Sequence, residues 1–120
     1  MFGAHLTGQP LNHQLVGLGA RLVGPVKTSP DYELYTLDTV RPKPRLVATR
    51  SDGGSIAGEL WLLSPANLGR LLIDLPAPMM LGRVRPNDGR EVVGFGCTPE
   101  APEYGTNITE YGSWPNYLAV

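Results

Sequence analysis

Leu46-Val47-Ala48-Thr49-Arg50-Ser51-Asp52-Gly53-Gly54-Ser55-Ile56-Ala57-Gly58-Glu59-Leu60-Trp61-Leu62-Leu63-Ser64-Pro65 is the stretch whose reading decides the fold class. Ser51-Asp52-Gly53-Gly54 is a turn signal between two apolar runs, Leu46–Thr49 and Ile56–Leu63, so the two runs are expected to pair as a hairpin. Ser64 then offers a hydroxyl cap and Pro65 a preset first helical position, followed by Leu68, Leu71 and Leu72 as an inward stripe. Two strands running into a helix with no strict strand–helix alternation point to an α+β domain rather than a doubly wound sheet.

Working outward, Arg21 to Val26, Tyr32 to Leu37 and Arg45 to Thr49 read as strands. Ser29-Pro30-Asp31 and Arg41-Pro42-Lys43-Pro44 separate them, since proline denies the helix there. Past the helix, Pro76 and Pro78 end it. Arg83 to Arg85, the turn Asn87-Asp88-Gly89, and Glu91 to Cys97 form a second expected hairpin. Towards the N-terminus, Phe2 to Leu6 reads as a short strand, with Thr7 as a helix cap and Pro10 in the first helical turn. Leu11, Leu15 and Leu18 then supply a short amphipathic helix stopped by Gly17 and Gly19. Trp114 to Leu118 reads as a last helical turn or a cover strip.

With 120 residues, the chain has the length of one domain, 1–120, and enough of it to bury a core without staples. The hydrophobic fraction of 42 % and the charged fraction of 18 % describe a globular chain and exclude a disordered one. Ten basic against eleven acidic residues leave no positive field for nucleic acid. The longest apolar run is far short of the roughly 20 residues that span a bilayer. The N-terminal residues show no basic region or apolar stretch of an export signal, so the expected location is cytoplasmic. Cys97 is alone, which excludes an internal disulfide, and with His5 and His13 it makes no metal cage. No phosphate-binding loop or dinucleotide fingerprint occurs, so no cofactor is expected.

One segment carries chemistry: Gly3-Ala4-His5-Leu6-Thr7-Gly8-Gln9-Pro10-Leu11-Asn12. Small residues in a turn can aim free backbone N–H groups at a carboxylate, and a histidine among them can move a proton near neutral pH. This makes His5 the candidate catalytic residue. Gly3, Ala4, Leu6, Thr7, Gly8 and Asn12 are the candidates for holding a small carboxylate-bearing molecule.

The same segment, continued through His13-Gln14-Leu15, resembles the opening of the C-terminal domain of allophanate hydrolases. The likeness runs on through Pro42-Lys43-Pro44, Gly58-Glu59-Leu60-Trp61, Leu75-Pro76-Ala77-Pro78, Asp88-Gly89-Arg90, Val93-Gly94-Phe95, Asn107-Ile108-Thr109 and Gly112-Ser113-Trp114-Pro115-Asn116-Tyr117-Leu118. The resemblance implies a gamma-glutamylcyclotransferase-like fold, a small mixed β-barrel with flanking short helices. It also implies decarboxylation of an N-carboxylated carbamate, with His5 supplying the proton. A separately encoded amidase is the implied partner, a homodimer the implied assembly, and a non-catalytic stabilising module the alternative role. Cyclotransferase activity itself is not expected, because the acid/base glutamate is absent from Ile73-Asp74-Leu75-Pro76-Ala77-Pro78. Arg45 and Ser113 stand where the family carries glycine, and Arg45 is placed to alter the pocket or pair with an anion.

Overall fold

A computed structural model describes residues 1–37, 43–50, 52–76, 79–97 and 105–120. The readings that fell on Pro42, Ser51, Ala77, Pro78 and the Cys97 side chain lie outside these residues. In chain order the described elements are α1 (Asn12–Gly17), β1 (Arg21–Lys27), β2 (Tyr32–Leu37), β3 (Lys43–Ala48), β4 (Ala57–Leu62), α2 (Pro65–Ile73), β5 (Met79–Val84), β6 (Val92–Cys97), β7 (Gly105–Asn107), a 3-10 turn (Thr109–Tyr111) and α3 (Trp114–Leu118). The α+β reading holds.

All strand pairs are antiparallel: β1 with β4, β2 with both β3 and β7, and β5 with β6. These three ladders touch through two isolated bridges, Thr28 to Pro86 and Tyr32 to Gly54, and no closed barrel is formed among the described residues. β1 bulges between Leu22 and Gly24 and then carries Pro25, which has no N–H to extend a ladder.

The expected Leu46–Thr49/Ile56–Leu63 hairpin is not formed. β3 pairs with β2 in the register Tyr32 to Ala48 through Leu37 to Lys43, whereas β4 pairs with β1. The turn between them wraps around Tyr32 instead: Gly54 N–H donates to Tyr32 O at 2.8 Å, and Tyr32 N–H to Gly54 O at 3.4 Å. Gly53 lies so near that a Cβ on it would come within 2.7 Å of Tyr32 O. A two-glycine turn therefore passes the chain from one ladder to another. The second hairpin is formed as expected, although β5 starts at Met79 rather than Arg83.

Two further expectations give way. Phe2 to Leu6 is not a strand; the segment folds into successive turns, with Leu6 N–H on Gly3 O, Gln9 N–H on Leu6 O and Leu11 N–H on Ala4 O. Leu72 does not face inward, being 51 % exposed, and the α2 stripe rests on buried Leu71. Ser64 does cap α2 through Asn67 N–H, and Ser113 caps α3 in the same way through Asn116 N–H.

The core falls into two clusters. One gathers Phe2, Leu6, Tyr32, Leu34, Leu46, Ile56, Val84, Ile108 and Trp114; the other gathers Leu15, Leu71 and Phe95 with Leu75, Met79 and Leu81 at its margin. The turn segment 3–11 runs between them, and a cavity opens there.

Candidate functional site

The cavity offers about 70 Å³ of space, roughly five water-sized positions at about 10–15 Å³ each. Phe2, Leu34 and Leu46 of the first cluster and Leu75, Met79 and Phe95 of the second form its apolar walls. Gly3, Ala4, His5 and Lys43 also line it, and no carboxylate does so among the described residues.

His5 is buried, and its ring stacks on Phe95 at a centroid distance of 4.9 Å. Nε2 lies 2.8 Å from Gln14 Oε1. A side-chain amide oxygen only accepts, so the ring proton sits on Nε2 and Nδ1 keeps its lone pair in the neutral form. Burial pushes the pKa of His5 below its ordinary value, outweighing the opposing effect of the Gln14 bond. The resting ring is therefore neutral at neutral pH.

The backbone around His5 is held from two sides. Asn12 Nδ2 donates to His5 O at 3.0 Å, tying the turn to the start of α1. Glu59 on β4 accepts from Thr7 N–H at 2.7 Å, Thr7 Oγ1 at 3.2 Å and Trp61 Nε1 at 3.3 Å, all at Oε1. Thr7 is thus a pinned loop residue rather than a helix cap; α1 starts after Leu11 with no side-chain cap. Between these anchors, the N–H groups of Gly3, Ala4 and His5 take no partner among the described residues, whereas that of Leu6 is used by Gly3 O. A glycine is required at position 3 by contact: a Cβ there would collide with the Pro44 ring.

Of the residues singled out in the sequence, Gly3, Ala4 and His5 meet in the cavity. Leu6 points into the first core cluster, Thr7 and Gly8 are exposed outside the cavity, and Asn12 supports the loop from behind. Gly8 has φ +81°, the left-handed turn that glycine adopts freely. Asp74 is exposed at the end of α2, and His13 is exposed on α1. Arg45 does not reach the cavity. It lies with its guanidinium carbon 5.3 Å from the centre of the Tyr35 ring, 4 % exposed, with Nε and Nη1 unpartnered. Sequence reasoning missed Lys43, Gln14 and Phe95 as site residues; the quoted Pro42-Lys43-Pro44 run was the signal for the first.

Comparison with known proteins now bears on this geometry. The model of the allophanate hydrolase C-terminal domain family matches residues 1–119. A urea amidolyase from Lachancea kluyveri is 36 % identical over 121 residues, covering 97 % of this chain and 7 % of that protein. The crystal structure of the K. lactis urea amidolyase superposes with a TM-score of 0.94 at 30 % identity, over 98 % of this chain and 7 % of that one. A uropathogenic E. coli-specific protein superposes with a TM-score of 0.90 at 28 % identity, over 98 % of this chain and 91 % of its own. The chain thus spans about 7 % of the length of the urea amidolyases it matches.

Proposed function

The chain belongs to the allophanate hydrolase C-terminal domain family, and from that membership we propose that its cavity binds a small carboxylate-bearing molecule and releases carbon dioxide from an N-carboxylated carbamate. The observation that carries this reading is that Gly3, Ala4 and His5 line one hollow that no described carboxylate lines, and that the N–H groups of Gly3 and Ala4 take no partner among the described residues. Free N–H groups hold an anion; a neutral imidazole moves a proton. Exposed Asp74 gives no support to a cyclotransferase reading.

The step balances without an outside proton. The singly ionised acid HO₂C–NH–CO₂⁻ gives CO₂ and H₂N–CO₂⁻: the N–C bond to the protonated carboxyl breaks, and the carboxyl proton passes to nitrogen. His5 Nδ1 takes that proton from oxygen and returns it to nitrogen, while Gln14 keeps the ring in place through Nε2. His5 therefore serves first as base and then as acid, where the sequence alone suggested a donor. The apolar walls suit CO₂, an uncharged product.

The test is carbon dioxide release from freshly generated N-carboxycarbamate. The protein is expected to accelerate it, and His5→Asn to lose most of that acceleration. Equal rates with and without protein would end this reading. They would leave the second one, a stabilising module for an amidase. That alternative is favoured by the apolar surface of Leu72, Ile73 and Val93, which are 51 %, 83 % and 56 % exposed.

A further inference from the structure

We propose that the free edge of β5 is the pairing surface for a second copy of this chain. Two β5 strands meet antiparallel across a two-fold axis at Gly82, joining the two β5–β6 hairpins into one four-stranded sheet. The proposal is read from the strand edges and is independent of the cavity chemistry.

Three observations lead there. β5 has β6 on one side and no strand on the other, and the N–H and C=O groups of residues 80–84 not bonded to β6 take no partner among the described residues. Such a row is a template for another strand. Other edges are blunted, β1 by its bulge and Pro25 and β7 by its three-residue length, whereas β5 runs six residues in unbroken register without a proline. Next, a groove lies on each face of that edge, and Gly82 and Arg83 line both. On the α2 side, Leu68, Gly69, Leu72, Leu81 and Val93 frame about 540 Å³; on the β3 side, Tyr32, Leu46, Val47, Met80 and Val84 frame about 210 Å³. Finally, Gly82 in mid-strand and Gly69 in mid-helix have nothing among the described residues within 4 Å of where a Cβ would stand. Contacts inside the chain therefore do not require these glycines. Glycine inside a regular element weakens it and marks the close approach of another backbone.

The occupant follows from shape and charge. An extended segment laid along β5 completes its hydrogen bonds and places alternate side chains over the two grooves. β5 is itself such a segment: Leu81 packs with Phe95 and Leu71 on the α2 side, while Val84 joins the core cluster of Tyr32 and Leu46 on the other. The charged residues lining the grooves are Arg83 and Glu91, one of each sign and 3.1 Å apart, so the edge presents no net field that favours an acidic or a basic partner. A two-fold contact is self-complementary and leaves no β5 edge over. With Gly82 opposite the partner's Gly82, the axis passes between two residues without side chains. Arg83 then lies opposite the partner's Leu81, whereas a register centred on Arg83 would set two like charges side by side. The axis stands perpendicular to the sheet, so both α2 helices lie on one face of it. The pairing covers Leu72, Val93 and Met80, which are 51 %, 56 % and 45 % exposed.

Sedimentation equilibrium of the full chain from about 1 to about 100 µM, the range of weak pairing between short edges, is expected to give a reversible dimer. Hydrogen exchange followed by NMR at both ends of that range should slow with concentration for the amides of residues 80–84 that face away from β6. Met80→Lys and Leu72→Lys, both at exposed positions, should each weaken the dimer at least about tenfold, while Val16→Lys, 60 % exposed on α1, leaves it unchanged. Gly82→Cys meets open space within the chain and is expected to form a disulfide between two copies on mild oxidation, mapped by mass spectrometry to the two substituted positions. A chain that is monomeric throughout the range, a dimer whose 80–84 amides exchange as in the monomer, a dimer indifferent to both lysine substitutions on β5 and α2, or a Gly82→Cys dimer without that disulfide would each overturn the proposal. Protection of those amides that appears only on adding a different protein would give the edge to that partner and overturn self-pairing. The wild-type measurements stand independently of how well the variants fold.

Discussion

Replacing Glu59 with alanine tests the claim that the site is built by pinning an irregular loop to β4. One oxygen, Oε1, accepts the Thr7 amide at 2.7 Å, the Thr7 hydroxyl at 3.2 Å and the Trp61 indole N–H at 3.3 Å. The short amide contact is charge-assisted, worth about 1.5–3 kcal/mol where water does not replace it. Thr7 is exposed, so water recovers part of that, and the two longer contacts add little. The net cost of Glu59→Ala is therefore about 2 kcal/mol, and of Glu59→Gln, which keeps an oxygen acceptor without the charge, about 1 kcal/mol. For 120 residues the unfolding entropy is about 0.25 kcal/mol per degree, so the alanine variant should melt about 8 °C lower. Urea denaturation with an unchanged slope would show that the loss is one of stability rather than of compactness. Thr7→Ala, which removes only the longer hydroxyl contact, should lose less than either. A Glu59→Ala protein within about 0.5 kcal/mol of the parent would refute the reasoning.

Gly3→Ala puts a methyl group into the Pro44 ring, and neither the ring nor the turned backbone yields easily; a loss of about 1–3 kcal/mol is expected in thermal unfolding, with any acceleration of carbon dioxide release abolished. A soluble variant with unchanged melting temperature would show that Gly3 and Pro44 separate freely. The pH dependence has a definite sign. The pKa of His5 lies below its unfolded value of 6.5, so above that value the ring is neutral in both states and costs nothing. Below it the unfolded chain takes up a proton that the folded protein resists, and stability falls until the folded pKa has been passed. The melting temperature should thus drop as pH is lowered from 7 to 5, and a His5→Gln variant should show a shallower drop over the same range.

How much of this was legible in the sequence depends on how local each signal is. β2 could be read to the residue, and the Ser64 cap rests on a contact three residues along the chain. The Gly53-Gly54 turn was legible as a turn but not as a hairpin. Pairing is settled by what lies opposite, and Tyr32, more than twenty residues earlier, claims both backbone groups of Gly54. Leu72 fitted the helical stripe, yet only Leu71 meets Leu15 and Phe95, an outcome fixed by tertiary packing. At the site, the Gly3-Ala4-His5 run pointed to the right loop. Thr7 was misassigned because a threonine before proline resembles a helix cap, while its actual partner, Glu59, is 52 residues away.

The misread strand at Phe2–Leu6 is what makes the site chemically distinctive. Had those residues paired as a strand, their N–H groups would have been consumed by a neighbour, and none would face a ligand. Instead the chain turns three times between Gly3 and Asn12, spending the amides of Leu6, Gln9 and Leu11 on its own carbonyls and leaving those of Gly3, Ala4 and His5 over. Partly buried amides without partners are costly. They persist here because Glu59, Asn12 and Pro44 fix the loop from three different elements. A loop selected for stability alone would pair those amides or expose them. Leaving them over beside a neutral histidine is the pattern expected of a site whose missing partner is an anion.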